Sequence, residues 1–321
     1  MAQPNLNKVN NVIELAKLKA QYKIDFEKKM NEAKKPTRMH TLFFGSKGVG
    51  KTYTALNLPQ NLKILALSYD GLTSPIIDSL ANRMPDIWER TLEYDIEYLD
   101  DPEIANDSAF LNYDYLKYIL NSEKVEKFKP DIIFHDRVDI LNKICEGRMR
   151  RNQGLPSIGV VDFSFWKERR AYLSYIHKLS SEKATLGVFY TIYYDDYSLV
   201  EFKDKNGNVI QKKEPQYVDI IKDSVPFVVE VEQFADKDKR KNYTRATVQT
   251  SKNDKFLKTG DVIDISGFKP LITKERIEVL YPDFFKNRTP LEVTEKNEES
   301  EKTEGTENSQ EQEVENDDSF V

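Results

Sequence analysis

The sequence predicts an α/β fold, a mostly parallel sheet flanked by helices, and three observations carry that prediction. Short apolar runs of strand length recur along the chain. Stretches with helical spacing separate them. Residues 45–52, GSKGVGKT, form a glycine-rich turn between one such run and one such stretch.

The elements follow in order. Residues 8–34 place Val9, Val12, Ile13, Ala16, Ala20 and Ile24 at roughly helical spacing among many lysines, until Pro36 breaks the pattern. That predicts a helical arm, 1–36, which either packs on its own domain or docks on a neighbouring subunit. Residues 39–44 make a short apolar strand. The glycine turn follows, and a helix begins at Lys51 and ends before Pro59. Residues 62–67 (LKILAL) and 131–135, closing on Asp136, are apolar runs short enough for buried parallel strands, as are 186–192 (LGVFYTI). Helices are expected at 111–122, 138–149 and 163–182.

After Ile192 the pattern changes. Residues 198–202 and 209–213 flank Lys205-Asn206-Gly207-Asn208, whose Asn-Gly pair suits the positive φ angles of a tight hairpin turn. Residues 225–234 and 243–250 alternate like strands and are expected to extend the sheet antiparallel at its edge. The core domain is therefore 37–291. Residues 292–321 hold twelve acidic residues and two lysines, a net of −10, so residues 1–291 carry +4 within a total of −6. Too apolar-poor to offset the cost of ordering, this tail is expected to be disordered.

Composition narrows the function classes. The 321 residues are 39% hydrophobic, enough for a substantial core. A single cysteine, Cys145, excludes an internal disulfide, and His40, His135 and His177 lack the spacing of a zinc site. No run of 18 apolar residues exists and MAQPNLNKVN is no signal peptide, so a cytoplasmic protein without a membrane partner is expected. The basic body raises nucleic acid as a partner, although many domains reach +4 without one.

GSKGVGKT is a P-loop in its proper context, with a strand before it and a helix after it. The residues from Gly45 through Ser46, Lys47, Gly48, Val49, Gly50, Lys51 and Thr52 to Tyr53 are expected to wrap the phosphates of ATP. Lys51 would reach the β- and γ-oxygens, and Thr52 would ligate Mg²⁺. Ser46 replaces the extra lysine that partitioning ATPases carry five residues before the P-loop lysine, and Lys47 is one position too late for that role. Asp136, ending PDIIFHD, is expected as the second metal anchor, with a helix cap as its structural alternative. Asp70, at the end of the 62–67 run, is the expected base if it points into the crevice, and otherwise starts a turn with Gly71. Thr191 is the expected polar sensor of the γ-phosphate, with Tyr190 or Tyr193 as substitutes.

From about residue 37 to 256 this order of parts resembles the RecA-type ATPase core, and particularly the compact RecA-like ATPases of phages and archaeal viruses implicated in single-strand annealing and recombination. The resemblance implies a RecA-like P-loop NTPase fold and a catalytic carboxylate at Asp70-Gly71, where the family usually has Glu-Gly. It also implies an intersubunit charge at Lys252 in Ser251-Lys252-Asn253-Asp254-Lys255, although the second basic position of that element is Asp254. A turn lysine is the plainer reading of Lys252. DNA contacts would come from GRMRRNQGLPSIG, with Arg148, Arg150 and Arg151, and from the hairpin after Ile192. A basic helix end favoured by its dipole accounts for the arginines equally well.

Together these readings predict a Mg²⁺-dependent ATPase that self-associates as a ring or filament on single-stranded DNA, in recombination or replication of a mobile element. A P-loop small-molecule kinase, and a nucleotide-dependent helicase loader or packaging switch, remain open beside it. The acidic tail ending in Phe320 either solvates the chain or docks a protein partner.

Overall fold

The computed structural model describes residues 38–203, 209–215, 225–236 and 241–286, with isolated positions 17, 19–21, 23, 24, 221, 224 and 288. The rest of the expected N-terminal arm, the Asn-Gly turn and the acidic tail lie outside the described residues. The chain divides into two units, 1–290 and 291–321.

The strands are β1 (Thr41–Gly45), β2 (Ile64–Ser68), β3 (Thr91–Asp95), β4 (Ile132–Asp136), β5 (Gly187–Lys203), β6 (Val209–Pro215), β7 (Phe227–Asp236), β8 (Lys241–Ser251) and β9 (Val262–Asp264). They form one sheet in the order β3-β2-β4-β5-β1-β7-β8-β9, with β6 paired to β5. β1 lies parallel between β5 and β7, and β2 parallel between β3 and β4. β8 pairs antiparallel with β7 and with β9, and β6 antiparallel with β5. The phosphate loop thus leaves a central strand, and Asp136 ends a strand two places away.

One expectation is corrected here. Residues 225–234 do not extend the sheet antiparallel; β7 runs parallel to β1, Thr41 facing Phe227, and on that side of the sheet β8 runs opposite while β9, antiparallel to β8, returns to the direction of β7. Period-two alternation marks a strand and its buried face but carries no information on the direction of its neighbour.

The helices are α1 (Lys51–Leu56), α2 (Thr73–Ala81), α3 (Ala105–Leu120), α4 (Glu123–Phe128), α5 (Val138–Asn152), α6 (Trp166–Lys183) and α7 (Lys274–Leu280). Successive side chains of each parallel strand point to opposite faces, so two cores form. On one, Phe43, Ala66, Phe134 and Phe189 pack with Leu56 of α1 and Ile77 of α2. On the other, Leu42, Leu65, Ile133 and Tyr190 pack with Leu116 of α3, Ile144 of α5 and Ile176 of α6. Near the end of the first unit, Arg288 reaches back to both oxygens of buried Asp131 and to the Asn61 carbonyl. α5 extends to Asn152, past the expected end at 149, so Arg150 and Arg151 are helical rather than part of a loop. Gly147 lies inside that helix where it crosses α3; a Cβ there would stand 2.5 Å from Ala109 Cβ.

Candidate active site

The site is built at the C-terminal ends of the parallel strands, where open α/β sheets hold their ligands. Gly45 ends β1 with φ 154°, and a Cβ would stand 2.2 Å from the Val231 carbonyl oxygen of β7. Gly50, with φ 92° and ψ 24°, turns the chain into α1. Between them Ser46, Lys47 and Gly48 are exposed, while Val49 and, after the loop, Tyr53 pack against the core.

Lys51 is buried, and its ammonium donates to the carbonyls of Gly45 at 3.1 Å and Ser46 at 2.7 Å. It also lies 4.1 Å from the centre of the Tyr193 ring. Burial pulls its pKa down to about 8, with Arg137 adding to the fall and Asp136 opposing it. A phosphate oxygen is a stronger acceptor than these carbonyls and would hold the charged form to higher pH.

Asp136 is almost fully buried and sits in a cradle of hydroxyls. Thr52 donates to its Oδ2 at 2.9 Å, Thr73 to the same oxygen at 3.2 Å, and Thr191 to Oδ1. Burial pushes the carboxyl upward; the Thr191 and Thr52 bonds act against it, and nearby Asp70 adds to it. Thr191, expected as a γ-phosphate sensor, is itself fully buried with its hydroxyl on Asp136. Tyr190 points to the other side of the sheet and bonds His177, whereas Tyr193 lines the cleft.

The Thr52 hydroxyl and the Asp136 carboxylate place two hard oxygens side by side, a set that fits Mg²⁺. That ion takes few protein ligands and completes its shell with waters and phosphate oxygens. Among the described residues no group of three or more His, Cys, Asp or Glu could hold a metal alone, so the phosphates would have to contribute.

The cleft measures about 360 Å³. Lys51, Thr52, Asp70, Asp136 and Tyr193 form its polar end, and Tyr53, Leu72, Pro75 and Ile76 its apolar side. Asp70 accepts from the Leu72 backbone N–H at 3.1 Å through Oδ1, and its Oδ2 lies 3.6 Å from Arg137 Nη1. Lys252 is exposed beyond the end of β8 and does not line this cleft.

The arginine cluster is engaged within the protein. Arg148 pairs with Asp114 at 2.9 Å and lies 4.5 Å from the Phe110 and Tyr113 ring centres. Arg150 is buried, and its guanidinium binds Glu146 and the carbonyls of Pro156 and Gly159. Arg151 bonds Asp107 and stacks on Phe110, and is the most open of the three at 44% side-chain exposure.

Sequence reasoning missed Thr73 and Arg137. Thr73 had no signal, since a hydroxyl at the start of a helix is common. Arg137 had one: a cation directly after the aspartate that ends an apolar strand.

The parallel sheet, its antiparallel edge strands and the loop after a central strand make this a mostly parallel α/β fold carrying a phosphate loop. No protein-family model and no curated protein matches the chain. Among solved structures, it is similar to a KaiC-like protein from the hyperthermophilic archaeon Pyrococcus horikoshii, with 11% identity and a TM-score of 0.40. That similarity covers 68% of this chain and 82% of the other. It is also similar to an ATPase from the type III secretion system of pathogenic bacteria, with 14% identity and a TM-score of 0.36 over 60% of this chain. This chain spans about half of that protein, 51%.

Proposed function

We propose that the chain binds ATP with Mg²⁺ in this cleft and hydrolyses it. The observation that carries the reading is the contact of Thr52 with Asp136 beside the inward-turned Lys51, since that set serves phosphates and their metal together. Lys51 would move from the loop carbonyls to the β- and γ-oxygens, and the apolar side of the cleft would take the base. Asp70, at the open end, would orient and deprotonate the attacking water. Bound Mg²⁺ would supply positive charge to the phosphate oxygens during transfer.

The finer reading is a self-associating ATPase acting on single-stranded DNA in recombination, annealing or replication of a virus or other mobile element. It is supported by the +4 charge of residues 1–291 and by Arg151 at the open end of α5. Lys252 would supply charge to a neighbouring subunit's site, and the mobile-element setting comes from the sequence resemblance alone. A second reading, a nucleotide-dependent switch that grips a protein, is favoured by the loop after α5. There Ile158, Val160 and Phe163 are exposed, while Arg148 and Arg150 are turned inward.

The test is the rate of ATP hydrolysis with and without single-stranded DNA, for wild type and Lys51→Ala. Hydrolysis lost in Lys51→Ala and stimulated by DNA supports the whole reading. A rate unmoved by DNA at both low and high salt removes the DNA role and leaves the switch.

A further inference from the structure

Arg137 is the first residue after β4 and precedes α5, in extended conformation (φ −123°, ψ 139°) and without a side-chain cap role. Its guanidinium is held on one edge. Nε and Nη2 donate to the Asp139 carboxylate at 3.2 and 2.6 Å, a two-point grip that fixes the plane of the group. The remaining nitrogen, Nη1, lies 3.6 Å from Asp70 Oδ2, too far for a hydrogen bond, and makes none among the described residues. The guanidinium carbon stands 3.9 Å from the centre of the Tyr193 ring, the ring that also carries the Lys51 ammonium at 4.1 Å.

Two cations therefore converge on one aromatic platform in a largely buried place. Like charges so placed repel, an arrangement that becomes favourable when an anion joins them. Lys51 belongs to the loop side. Arg137 belongs to the side of Asp70 and Asp136, where the last phosphate of a chain gripped by the loop would end. Asp70 and Asp139 balance Arg137 meanwhile, but only Asp139 binds it closely.

We propose that Arg137 is a catalytic residue of this site, an arginine supplied by the same chain that contacts the γ-phosphate. It rests on the nucleotide reading above and deepens it. With a triphosphate in the loop, Nη1 leaves Asp70 for the γ-oxygens while Asp139 keeps its grip on the other edge. The exchange also frees the Asp70 carboxylate. In hydrolysis the oxygen of water bonds to the γ-phosphorus as the bond from that phosphorus to the β–γ bridging oxygen breaks. The electron pair of the broken bond stays on ADP, the water's proton passes to Asp70, and Arg137 neutralises charge on the γ-oxygens throughout. A diphosphate ends before Arg137, so the residue would distinguish ATP from ADP.

The experiment measures binding of ribose-labelled ADP and of a labelled non-hydrolysable ATP analogue, with Mg²⁺, alongside hydrolysis and melting temperature. Wild type, Arg137→Ala and Arg137→Lys are compared. The expected result for Arg137→Ala is a roughly 10–100-fold loss of triphosphate affinity, with ADP affinity within about twofold and a rate roughly 10³-fold lower. Arg137→Lys keeps the charge without the fork. It should recover part of the triphosphate affinity and less than about a tenth of the rate. The proposal is overturned if both variants melt like wild type and keep its ratio of triphosphate to diphosphate affinity. Equal loss of both nucleotides overturns it too, since that marks a residue that only shapes the cleft. Wild-type protein that binds neither nucleotide would instead sink the phosphate-site reading itself.

Discussion

Replacing Thr191 by Val tests the Asp136 cradle with almost no change of shape. The side chain is fully buried on β5, and its hydroxyl donates to one oxygen of a carboxylate that is itself only 3% exposed. Val fills the same space and donates nothing, so Oδ1 loses a charge-assisted bond that water cannot replace. Such a bond is worth about 2 kcal/mol, which lowers Tm by about 4 °C in a domain of this size. The loss has a second consequence, because burial already pushes the Asp136 carboxyl upward and the Thr191 bond opposes it. Without that bond the carboxylate protonates more readily and orients less well, so Mg²⁺ affinity should fall roughly 10–100-fold. The assay is a thermal melt together with a Mg²⁺ titration of nucleotide binding. A sensor of the γ-phosphate would behave differently. If Thr191→Val left Tm and the Mg²⁺ midpoint unchanged but lost discrimination between ATP and ADP, the positioning argument would be refuted.

Other perturbations follow from single contacts. Because burial holds the Lys51 pKa at about 8 and bound phosphate needs the charged form, nucleotide affinity should fall as pH rises through that value. The loss between pH 7 and 9 is roughly tenfold, and calorimetry in buffers of different ionisation enthalpy should show nearly one proton taken up per nucleotide at pH 9. Gly187→Ala places a Cβ 2.7 and 2.8 Å from the backbone C and O of Met39, atoms that cannot swing aside. It should cost about 3 kcal/mol in a denaturant titration. His40 accepts the Val188 backbone N–H at Nδ1 and packs edge-on to His177, and burial, with the charge of His177 next, lowers its pKa to about 3. The unfolded chain binds a proton at His40 below the ordinary value of 6.5 while the folded one does not, so stability is full above that pH and falls below it. At pH 5 the loss from His40 is about 2 kcal/mol, and His40→Asn, which keeps an acceptor for Val188, should make the slope shallower in melts from pH 7 to 5, leaving the share of buried His135 and His177.

What the sequence showed and what it hid divide along physical lines. β1, β2, β4 and the first part of β5 were legible because strands buried on both faces must be apolar throughout and turn polar only where they leave the sheet. That same rule displayed Asp136 and Asp70 at strand ends. β3, TLEYD, was invisible because an edge strand exposed on part of its surface alternates too weakly to stand out. The three-residue β9 was invisible for its length. The hydroxyl cradle escaped notice for another reason: Thr52, Thr73 and Thr191 meet Asp136 from three distant places, and no local pattern records a long-range donor.

The arginines are the sharper case. A run such as RMRR reads as a solvated or nucleic-acid-facing patch because sequence shows charge but not direction. In the fold, Arg150 is instead spent on the Pro156 and Gly159 carbonyls and Arg148 on Asp114, since a guanidinium fork satisfies several acceptors at once. The isolated Arg137, fixed by Asp139, keeps a donor edge without a close partner, with Nη1 3.6 Å from Asp70 of the cleft. Clustering shows where charge lies, and donor accounting shows which nitrogens a phosphate could still reach. An arginine whose five N–H groups are matched to protein acceptors holds structure, whereas one gripped on a single edge is already oriented for a phosphate.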